Sequence, residues 1–427
     1  MQSSSSRRPS RRSFLRTAGA VAGGAWLAGC APTTPPASSG APAKPAAANS
    51  APAAAPAAAK PASATALKIG VLLPYSGVYA VLGESITNGM QMYFDGVSNS
   101  AGGRAVTLIK EDEGSTPEEG LRKARKLRQQ DEVDILAGTV SSAIAAAIRD
   151  EMHENKLIYI SANAGLNDLT RARKSPYIFR TAFSNAQPST PMGEYLVKQG
   201  LRRVFISAAD YAAGKESLAA FKEGFLAAGG EILGEIYPPF PNTDYAPYLT
   251  QIAQAKPQAS YSFYAGSDAV NFVKQFGEFG LNNDMKLCGS GFMLEEDVLP
   301  AQGQAALGGI SGLHWALNLD NPENRTFTQA YKAKFNKDAD VYAMQGYDTA
   351  RVIVEALKQT QGDTTNKDKL VEAIAAVKFA SARGPFAFDP ETHNPIQNIY
   401  AREVRESGGK LSNFIVETFP AIRDKAT

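Results

Sequence analysis

Two adjacent hydroxyl side chains, Ser141 and Ser142, stand where an apolar predicted strand gives way to a predicted helix. The first turn of a helix presents backbone N–H groups without intrahelical partners and a partial positive charge. Two hydroxyls beside those groups would complete a cradle for a carboxylate. The alternative is that Ser141 simply caps the helix, as serine commonly does. The residues therefore predict either an anion site or an ordinary helix cap.

Signatures of catalysis are missing from the sequence. It contains no G-x-S-x-G or H-E-x-x-H motif, and no base stands out as a partner for either serine. The three histidines, His153, His314 and His393, are far apart, so we expect no metal site. We therefore expect a protein that is not an enzyme and needs no cofactor. A hydrolase is the alternative, which turnover of a bound ligand would support.

The elements that would position the two serines alternate between strands and helices. A first unit has five short apolar runs typical of buried strands, at residues 68–73, 105–109, 133–137, 157–160 and 177–179. A second unit repeats the pattern, with strands predicted at residues 203–206, 232–236, 260–264 and 286–288. Apolar strands separated by helices indicate parallel sheets covered on both faces, and two such units predict two lobes.

Ligands of such α/β folds bind beyond the carboxyl ends of the strands. Two facing sheets would place the site in the cleft between the lobes. Asp210, Tyr211 and Tyr264 stand at predicted strand ends. Each of them either lines this cleft or belongs to an ordinary turn or to the core.

The first thirty residues resemble a twin-arginine export signal that ends in a bacterial lipobox. Arg11-Arg12-Ser13-Phe14-Leu15 precedes thirteen uncharged residues, and Leu27-Ala28-Gly29-Cys30 closes the segment. That uncharged run is too short to span a bilayer, which needs about 20 residues. The resemblance implies that residues 1–30 are a signal, that Cys30 carries lipid, and that the protein works in the periplasm or another extracytoplasmic space. Residues 31–66 are mostly Ala and Pro, which predicts a disordered tether.

Charge and cysteine content limit the partners. Residues 1–66 contain seven Lys or Arg and no Asp or Glu, so the remainder of the chain carries more acids than bases. A nucleic-acid partner would require a basic patch on the folded part, and we expect none. With Cys30 lipidated, Cys288 is left without a partner, so we expect neither an intramolecular disulfide nor a cysteine zinc site.

Six segments occur in the order found in the leucine/isoleucine/valine-binding proteins, and together they resemble that family. They are Pro74-Tyr-Ser-Gly77 with Gly83, Gly138-Thr-Val-Ser-Ser142, Ser161-Ala-Asn-Ala-Gly165, Asp210-Tyr-Ala-Ala-Gly214, Thr243-Asp-Tyr245 and Gly384-Pro-Phe-Ala-Phe-Asp389. The resemblance covers residues 67–427. It implies a two-lobed type I periplasmic-binding-protein fold, in which two doubly wound parallel sheets are joined by three crossing segments near residues 184, 313 and 381. Lobe 1 would comprise residues 67–184 plus 313–381, and lobe 2 residues 185–312 plus 382–427.

The same resemblance implies a function. Members of the family are the extracytoplasmic substrate-binding components of ATP-driven (ABC) importers. We therefore expect this chain to capture a small carboxylate-bearing ligand between its lobes and to deliver it to a membrane permease. We also expect a monomer that contacts the membrane only through its lipid anchor. The alternative on the same fold is a lipoprotein outside transport, such as a sensor subunit or a regulator of cell-wall synthesis.

The resemblance also assigns site residues. The position of Ser142 holds the ligand carboxylate, with Ser141 beside it and help from the loop that carries Asn163, Ala164 and Gly165. An acid that pairs with the ligand ammonium corresponds to Gly291, beside Phe292. Residues that form the pocket wall correspond to Leu82, Ala213 and Ser267, with Tyr264 as a further candidate.

The departures from the family bear on the ligand. Gly291 cannot pair with an ammonium, and small residues replace aromatic ones at Leu82, Ala213 and Ser267. These changes predict a larger pocket that favours an aromatic or other hydrophobic acid over leucine. Asp268, Glu295 or Glu296 could restore the missing charge, and the sequence leaves this open. A disulfide found in many members is also missing, because Gly114 and Ser141 occupy its positions.

Overall fold

The structure of residues 65–426 is a computed structural model. The predicted signal with Cys30, and almost all of the predicted tether, lie outside these described residues. From residue 65 to residue 426, no helix combines the length and the apolarity that crossing a bilayer requires.

The first sheet contains six strands, β1 to β6: Leu67–Leu73, Ser100–Ala101, Arg104–Asp112, Ile135–Gly138, Ile158–Ser161 and Ile178–Arg180. Their order across the sheet is β2-β3-β1-β4-β5-β6. All neighbouring strands are parallel except β2 and β3, which form a short antiparallel pair. Loops after β1, β4, β5 and β6 therefore meet at one edge of this sheet.

The second sheet contains nine strands, β7 to β15: Arg203–Ala208, Glu231–Ile236, Ala259–Phe263, Lys286–Ser290, Ile310–Leu313, Lys378–Ser381, Gly384–Phe388, Pro395–Ser407 and Lys410–Ile422. Strands β7 to β11 are parallel, in the order β11-β10-β9-β7-β8. Strand β14 pairs antiparallel with β11, and β12, β13 and β15 extend the sheet in antiparallel fashion. This antiparallel extension was not part of the strand pattern predicted from the sequence.

Eleven helices occur among the described residues, α1 to α11: Ala80–Gly96, Pro117–Gln129, Ser142–Glu154, Thr190–Lys198, Ala212–Ala227, Ala246–Ala255, Gly266–Glu278, Leu299–Gln302, Pro322–Phe335, Val341–Gln359 and Lys367–Ala375. Local sequence explains several of their ends. Helix α2 starts at Pro117, and the Thr116 side chain accepts the Glu119 N–H in a capping box.

Alternation of side chains along β1 explains how the first sheet is covered on both faces. Ile69 and Val71 pack with residues of α1 and α10, whereas Leu72 packs with residues of α2 and α3 on the other face. Helices α1 and α10 approach closely because glycines stand at the contact. A Cβ atom at Gly89 would lie 1.9 Å from the Ala343 carbonyl oxygen, so no larger residue fits there.

The second sheet is covered in the same way. Phe221 and Phe225 of α5 pack on one of its faces, and Phe272 and Phe276 of α7 on the other. The predicted fold of two parallel-rich, doubly wound sheets is therefore confirmed. The lobe boundaries near residues 184, 313 and 381 stay a prediction.

Candidate ligand-binding site

A small cavity lies where the carboxyl ends of the strands of the two sheets face each other. It is small and partly open to solvent. Segments that follow strands of both sheets line it, together with α10. The lining residues are Tyr79, Leu82, Val140, Ser142, Asn163, Gly165, Phe183 and Asn185 after strands of the first sheet, Tyr211, Ala213, Phe263, Ala265 and Phe292 from the second sheet and the segments after its strands, and Tyr342 from α10. We call this space the cleft cavity. Its position agrees with the edge at which ligands of α/β sheets bind.

The first turn of α3 supplies one polar end of the cleft cavity. Ser142 is its first residue and is buried. Its hydroxyl oxygen accepts a hydrogen bond from Asn185 Nδ2 at 3.3 Å. The backbone N–H groups of Ser142 and Ala143 lie in the first turn, where helix geometry provides no intrahelical carbonyl. This end can therefore hold an anion through a hydroxyl and helix N–H groups.

Glu113, which was not predicted from the sequence, is buried against the backbone that leads into α3. Its carboxylate accepts the N–H of Val140 at 2.9 Å and that of Ser141 at 3.0 Å. Burial raises the pKa of Glu113 to about 8. Ser141 stands at the N-cap position of α3, but its side chain makes no capping hydrogen bond, so the prediction that this side chain caps the helix is wrong. The family disulfide at the positions of Gly114 and Ser141 implies that these two segments lie close together, and that proximity could have pointed to Glu113.

The backbone that carries Ser142 is held in an uncommon conformation. Thr139 has a φ of 54°, a region that β-branched residues rarely adopt. Its N–H donates to the Leu72 carbonyl at 2.7 Å, and its carbonyl accepts the Ala164 N–H at 2.9 Å. These two hydrogen bonds tie the loop after β4 to β1 and to the loop after β5, so the site rests on three strands.

Asn163 is held from α10. Its Nδ2 donates to Gln345 Oε1 at 2.7 Å, and Gln345 Nε2 lies 3.1 Å from His314 Nε2. Burial lowers the pKa of His314 well below its usual value, so the ring is neutral and its Nε2 accepts from Gln345. The ring of His314 also stacks on that of Phe183, with centroids 5.5 Å apart.

The structure places six of the predicted ligand contacts around the cleft cavity: Leu82, Ser142, Asn163, Gly165, Ala213 and Phe292. It places five others elsewhere: Ser141, Ala164, Tyr264, Ser267 and Gly291. Tyr264 follows Phe263 along the chain and points to the opposite face, where it packs against Tyr245 and Phe272. Ser267 is exposed on α7.

Gly291 is packed against the interior and not against the cavity. A Cβ atom there would lie 2.4 Å from Leu313 Cβ and 2.7 Å from Arg402 Nη2. Arg402 Nη2 also donates to the Gly291 carbonyl at 3.0 Å. A side chain that reaches the ligand therefore does not fit at this position.

The three acids that could have restored the charge missing at Gly291 all have other hydrogen-bond partners. Glu295 is paired with Arg402 at 2.7 Å and also accepts the Val341 N–H. Glu296 accepts the N–H of Asn413 at 3.0 Å. Asp268 accepts from the Tyr245 hydroxyl at 3.2 Å, and its pKa is raised to about 6 by burial. Within the described part of the chain, no acid lines the cleft cavity.

Aromatic side chains form a large part of the wall of the cleft cavity. Six aromatic side chains line the cavity: Tyr79, Phe183, Tyr211, Phe263, Phe292 and Tyr342. Leu82 and Ala213 lie among these rings. A pocket larger than that of the family stays a prediction. Of these rings, the sequence analysis had named only Tyr211 and Phe292. Tyr79 and Tyr211 follow β1 and β7 respectively, so their position after strands was the available signal.

Comparisons with known proteins agree with this geometry. A family model described as periplasmic binding protein matches residues 66–410. The chain belongs to the periplasmic binding protein family. It is 30% identical over 364 residues to the Leu/Ile/Val-binding protein homolog 6 of Brucella melitensis biotype 1, covering 84% of this chain and 93% of that relative. The predicted resemblance to leucine/isoleucine/valine-binding proteins is thus confirmed.

Two solved structures of periplasmic binding proteins are more similar in sequence. The solute-binding protein of an ABC transporter from R. palustris, in complex with benzoate, is 38% identical with a TM-score of 0.80. A solute-binding protein of an ABC transporter from Rhodopseudomonas palustris BisB5, in complex with 3,4-dihydroxy benzoic acid, is 35% identical with a TM-score of 0.81. Each comparison covers 84% of this chain and 98% of the other.

Proposed function

We propose that this chain captures a small aromatic carboxylate in the cleft cavity and delivers it to the membrane permease of an ABC importer. The observation that carries the proposal is the make-up of the cavity. Ser142, at the N-terminus of α3, faces walls that include six aromatic rings, and among the described residues no acid lines the space.

The carboxylate of the ligand would bind at the start of α3. The Ser142 hydroxyl can donate to it, and the N–H groups of Ser142 and Ala143 have no intrahelical partners. Hydrogen bonds in which one partner is charged are about twice as strong as neutral ones. The helix dipole adds attraction for negative charge at this end.

The walls select against a free α-ammonium. Moving an ammonium from water into the cavity without a counter-charge costs a desolvation free energy on the order of several kcal/mol. The nearby acids do not line the cavity, and Glu295 is already neutralised by Arg402. A flat ring, in contrast, gains from edge and offset contacts with the rings of Phe183, Phe263 and Phe292.

The related proteins bear on both the ligand class and the delivery to a permease. The benzoate and 3,4-dihydroxy benzoic acid complexes of the R. palustris proteins favour an aromatic acid. Their description as solute-binding proteins of ABC transporters favours delivery to a permease. The name of the Brucella relative favours branched-chain amino acids, and the acid-free cavity of this chain speaks against that ligand class.

The location and the mode of action are part of the same proposal. The twin-arginine motif and the lipobox at Cys30 support an extracytoplasmic protein held to a bacterial membrane by lipid. Residues 67–184 plus 313–381 would move as lobe 1 against residues 185–312 plus 382–427 as lobe 2. Closure on the ligand would then create the surface that the permease recognises.

Isothermal calorimetry on the purified protein tests the ligand class. We expect micromolar or tighter binding of benzoate or a hydroxybenzoate, and no measurable heat with leucine, isoleucine or valine. The opposite pattern would overturn the aromatic-acid assignment and leave a role in transport standing. The recovered ligand should be chemically unchanged, and its conversion to a product would favour the hydrolase alternative instead.

A further inference from the structure

Three tyrosines line the cleft cavity from three different elements. Tyr79 follows β1, Tyr211 precedes α5, and Tyr342 lies in the first turn of α10. Tyr342 is fully buried and Tyr79 is 7% exposed. The rings of Tyr79 and Tyr211 both stack on Phe240, with centroids 5.6 and 4.8 Å apart, so Phe240 holds the two side chains side by side.

The hydrogen bonds of these hydroxyls are incomplete. Tyr79 Oη and Tyr211 Oη lie 2.9 Å apart, and this single bond uses one of their two protons. Tyr342 Oη is buried and has no hydrogen-bond partner among the described residues. A buried hydroxyl without a partner costs on the order of 1–3 kcal/mol, and most buried polar groups in native proteins avoid that cost.

All three hydroxyls remain protonated at neutral pH. Burial raises the pKa of each, and the negative charge of Asp268 contributes to the shift for Tyr79 and Tyr211. Each group can therefore donate one hydrogen bond and accept another. These hydroxyls can therefore bind a neutral ligand group that both donates and accepts a hydrogen bond. A phenolic hydroxyl on the ligand is such a group.

A row of rings separates this cluster from the carboxylate end. A Cβ atom on Gly165 would lie 2.7 Å from Phe183, so Phe183 adjoins the loop at the carboxylate end. Phe183 packs on Phe292 with centroids 4.6 Å apart, and Phe292 stacks on Tyr342 with centroids 6.1 Å apart. A ring whose carboxylate lies at α3 would thus present its far edge to the tyrosines.

We infer that Tyr79, Tyr211 and Tyr342 form a subsite that selects a hydroxyl on the ligand ring, remote from its carboxylate. This inference rests on the proposed function and narrows it to hydroxylated aromatic acids. The tyrosine subsite determines specificity, because the carboxylate and the bare ring are bound by other residues.

Calorimetry with three ligands tests the subsite. Benzoate lacks the ring hydroxyl, 4-hydroxybenzoate carries it opposite the carboxylate, and 2-hydroxybenzoate carries it beside the carboxylate. We expect the wild-type protein to bind 4-hydroxybenzoate about tenfold or more tightly than the other two, as two new hydrogen bonds would allow. Equal affinity for benzoate and 4-hydroxybenzoate would overturn the subsite but not the proposed function. Failure of all three ligands to bind would overturn both.

Three single substitutions, each removing only a hydroxyl, complete the test. Tyr342→Phe and Tyr211→Phe should each weaken 4-hydroxybenzoate binding about five- to tenfold more than they weaken benzoate binding. Tyr264→Phe is the matched control, because Tyr264 is also buried with an unpartnered hydroxyl but does not line the cavity. It should leave both affinities unchanged. Equal weakening of both ligands by Tyr342→Phe and Tyr211→Phe would overturn the subsite.

Discussion

The carboxylate of Glu113 accepts the backbone N–H of Ser141 at 3.0 Å and so joins the end of β3 to the start of α3. A second hydrogen bond from Val140 completes the link. Many leucine/isoleucine/valine-binding proteins carry a disulfide at the positions of Gly114 and Ser141, by the resemblance described above. In this chain a buried carboxylate therefore connects the same two segments without a covalent bond, and it does so beside the predicted anion site.

Replacing Glu113 should alter how stability depends on pH. The native pKa of about 8 lies above the ordinary value of 4.5, so between these values the native state binds more protons than the unfolded state. The contribution of Glu113 to the free energy of unfolding therefore falls as pH rises from about 5 to 8, by about 1.4 kcal/mol per pH unit at most. The Glu113→Gln variant should lack this contribution.

Urea unfolding at pH 5, 6, 7 and 8 measures the effect as the difference between wild type and Glu113→Gln. Other buried acids are common to both proteins and cancel in that difference. Glu118→Gln, at an exposed position of α2, is the control and should parallel the wild type. A difference that does not change with pH would show that Glu113 keeps an ordinary pKa.

Ser142 and Ser141 should differ sharply in their effect on ligand binding. Ser142→Ala removes a hydroxyl that lines the cavity and should weaken binding of the aromatic carboxylate about tenfold or more, as expected for a hydrogen bond to a charged group. Ser141→Ala should change the affinity less than about threefold. Calorimetry gives the affinities and thermal unfolding checks that both variants fold. Equal losses would place the carboxylate elsewhere.

An acid introduced at position 291 should not create an amino-acid binder. Gly291→Asp would bring Cβ within 2.4 Å of Leu313 Cβ, so the variant should lose about 1–3 kcal/mol of unfolding free energy. It should bind leucine no better than the wild type does. Ser267→Asp is the control, because it adds the same charge at an exposed position and should change stability by less than about 0.5 kcal/mol. A stable variant that binds leucine would refute the packing argument.

Ligand binding should close the cleft. The Tyr79–Tyr211 hydrogen bond joins a loop of the first sheet to a loop of the second, and the cavity between them is small. These contacts belong to the closed arrangement, which hinge motion of the two lobes would produce on binding. Small-angle scattering should show a smaller radius of gyration when the protein is saturated with its ligand. Ser142→Ala, at a ligand concentration below its own dissociation constant, should keep the larger radius. An unchanged radius at proven saturation would argue against hinge closure.

Export should depend on the arginine pair and anchoring on the cysteine. Changing both Arg11 and Arg12 to Lys should block translocation, whereas the same change at Arg7 and Arg8 should not. Cys30→Ala should release an unlipidated protein from the membrane fraction. Cell fractionation and immunoblotting report each outcome, and normal export of the first variant in cells without twin-arginine machinery would contradict the signal assignment.

The sequence alone determined the class of fold and the edge of the sheets that carries the site. Apolar runs such as that of β1, separated by helical patterns, repeat along the chain, and their periodicity is a local property that needs no coordinates. Ser142 could be named from the same pattern because it follows β4, whereas Asn163 could be named only through the resemblance to the family. The order of six short segments was enough to identify the family.

Only the tertiary structure decided which side chains face the ligand space. Tyr264 turns away from the cavity because neighbouring side chains of an extended segment point to opposite faces. Gly291 is closed off by Arg402, which lies far along the chain on β14, and Glu113 binds the backbone N–H of Ser141. Rings from four or more elements converge to keep the cavity small. These outcomes depend on contacts between residues distant in sequence, and a local pattern contains no record of such contacts.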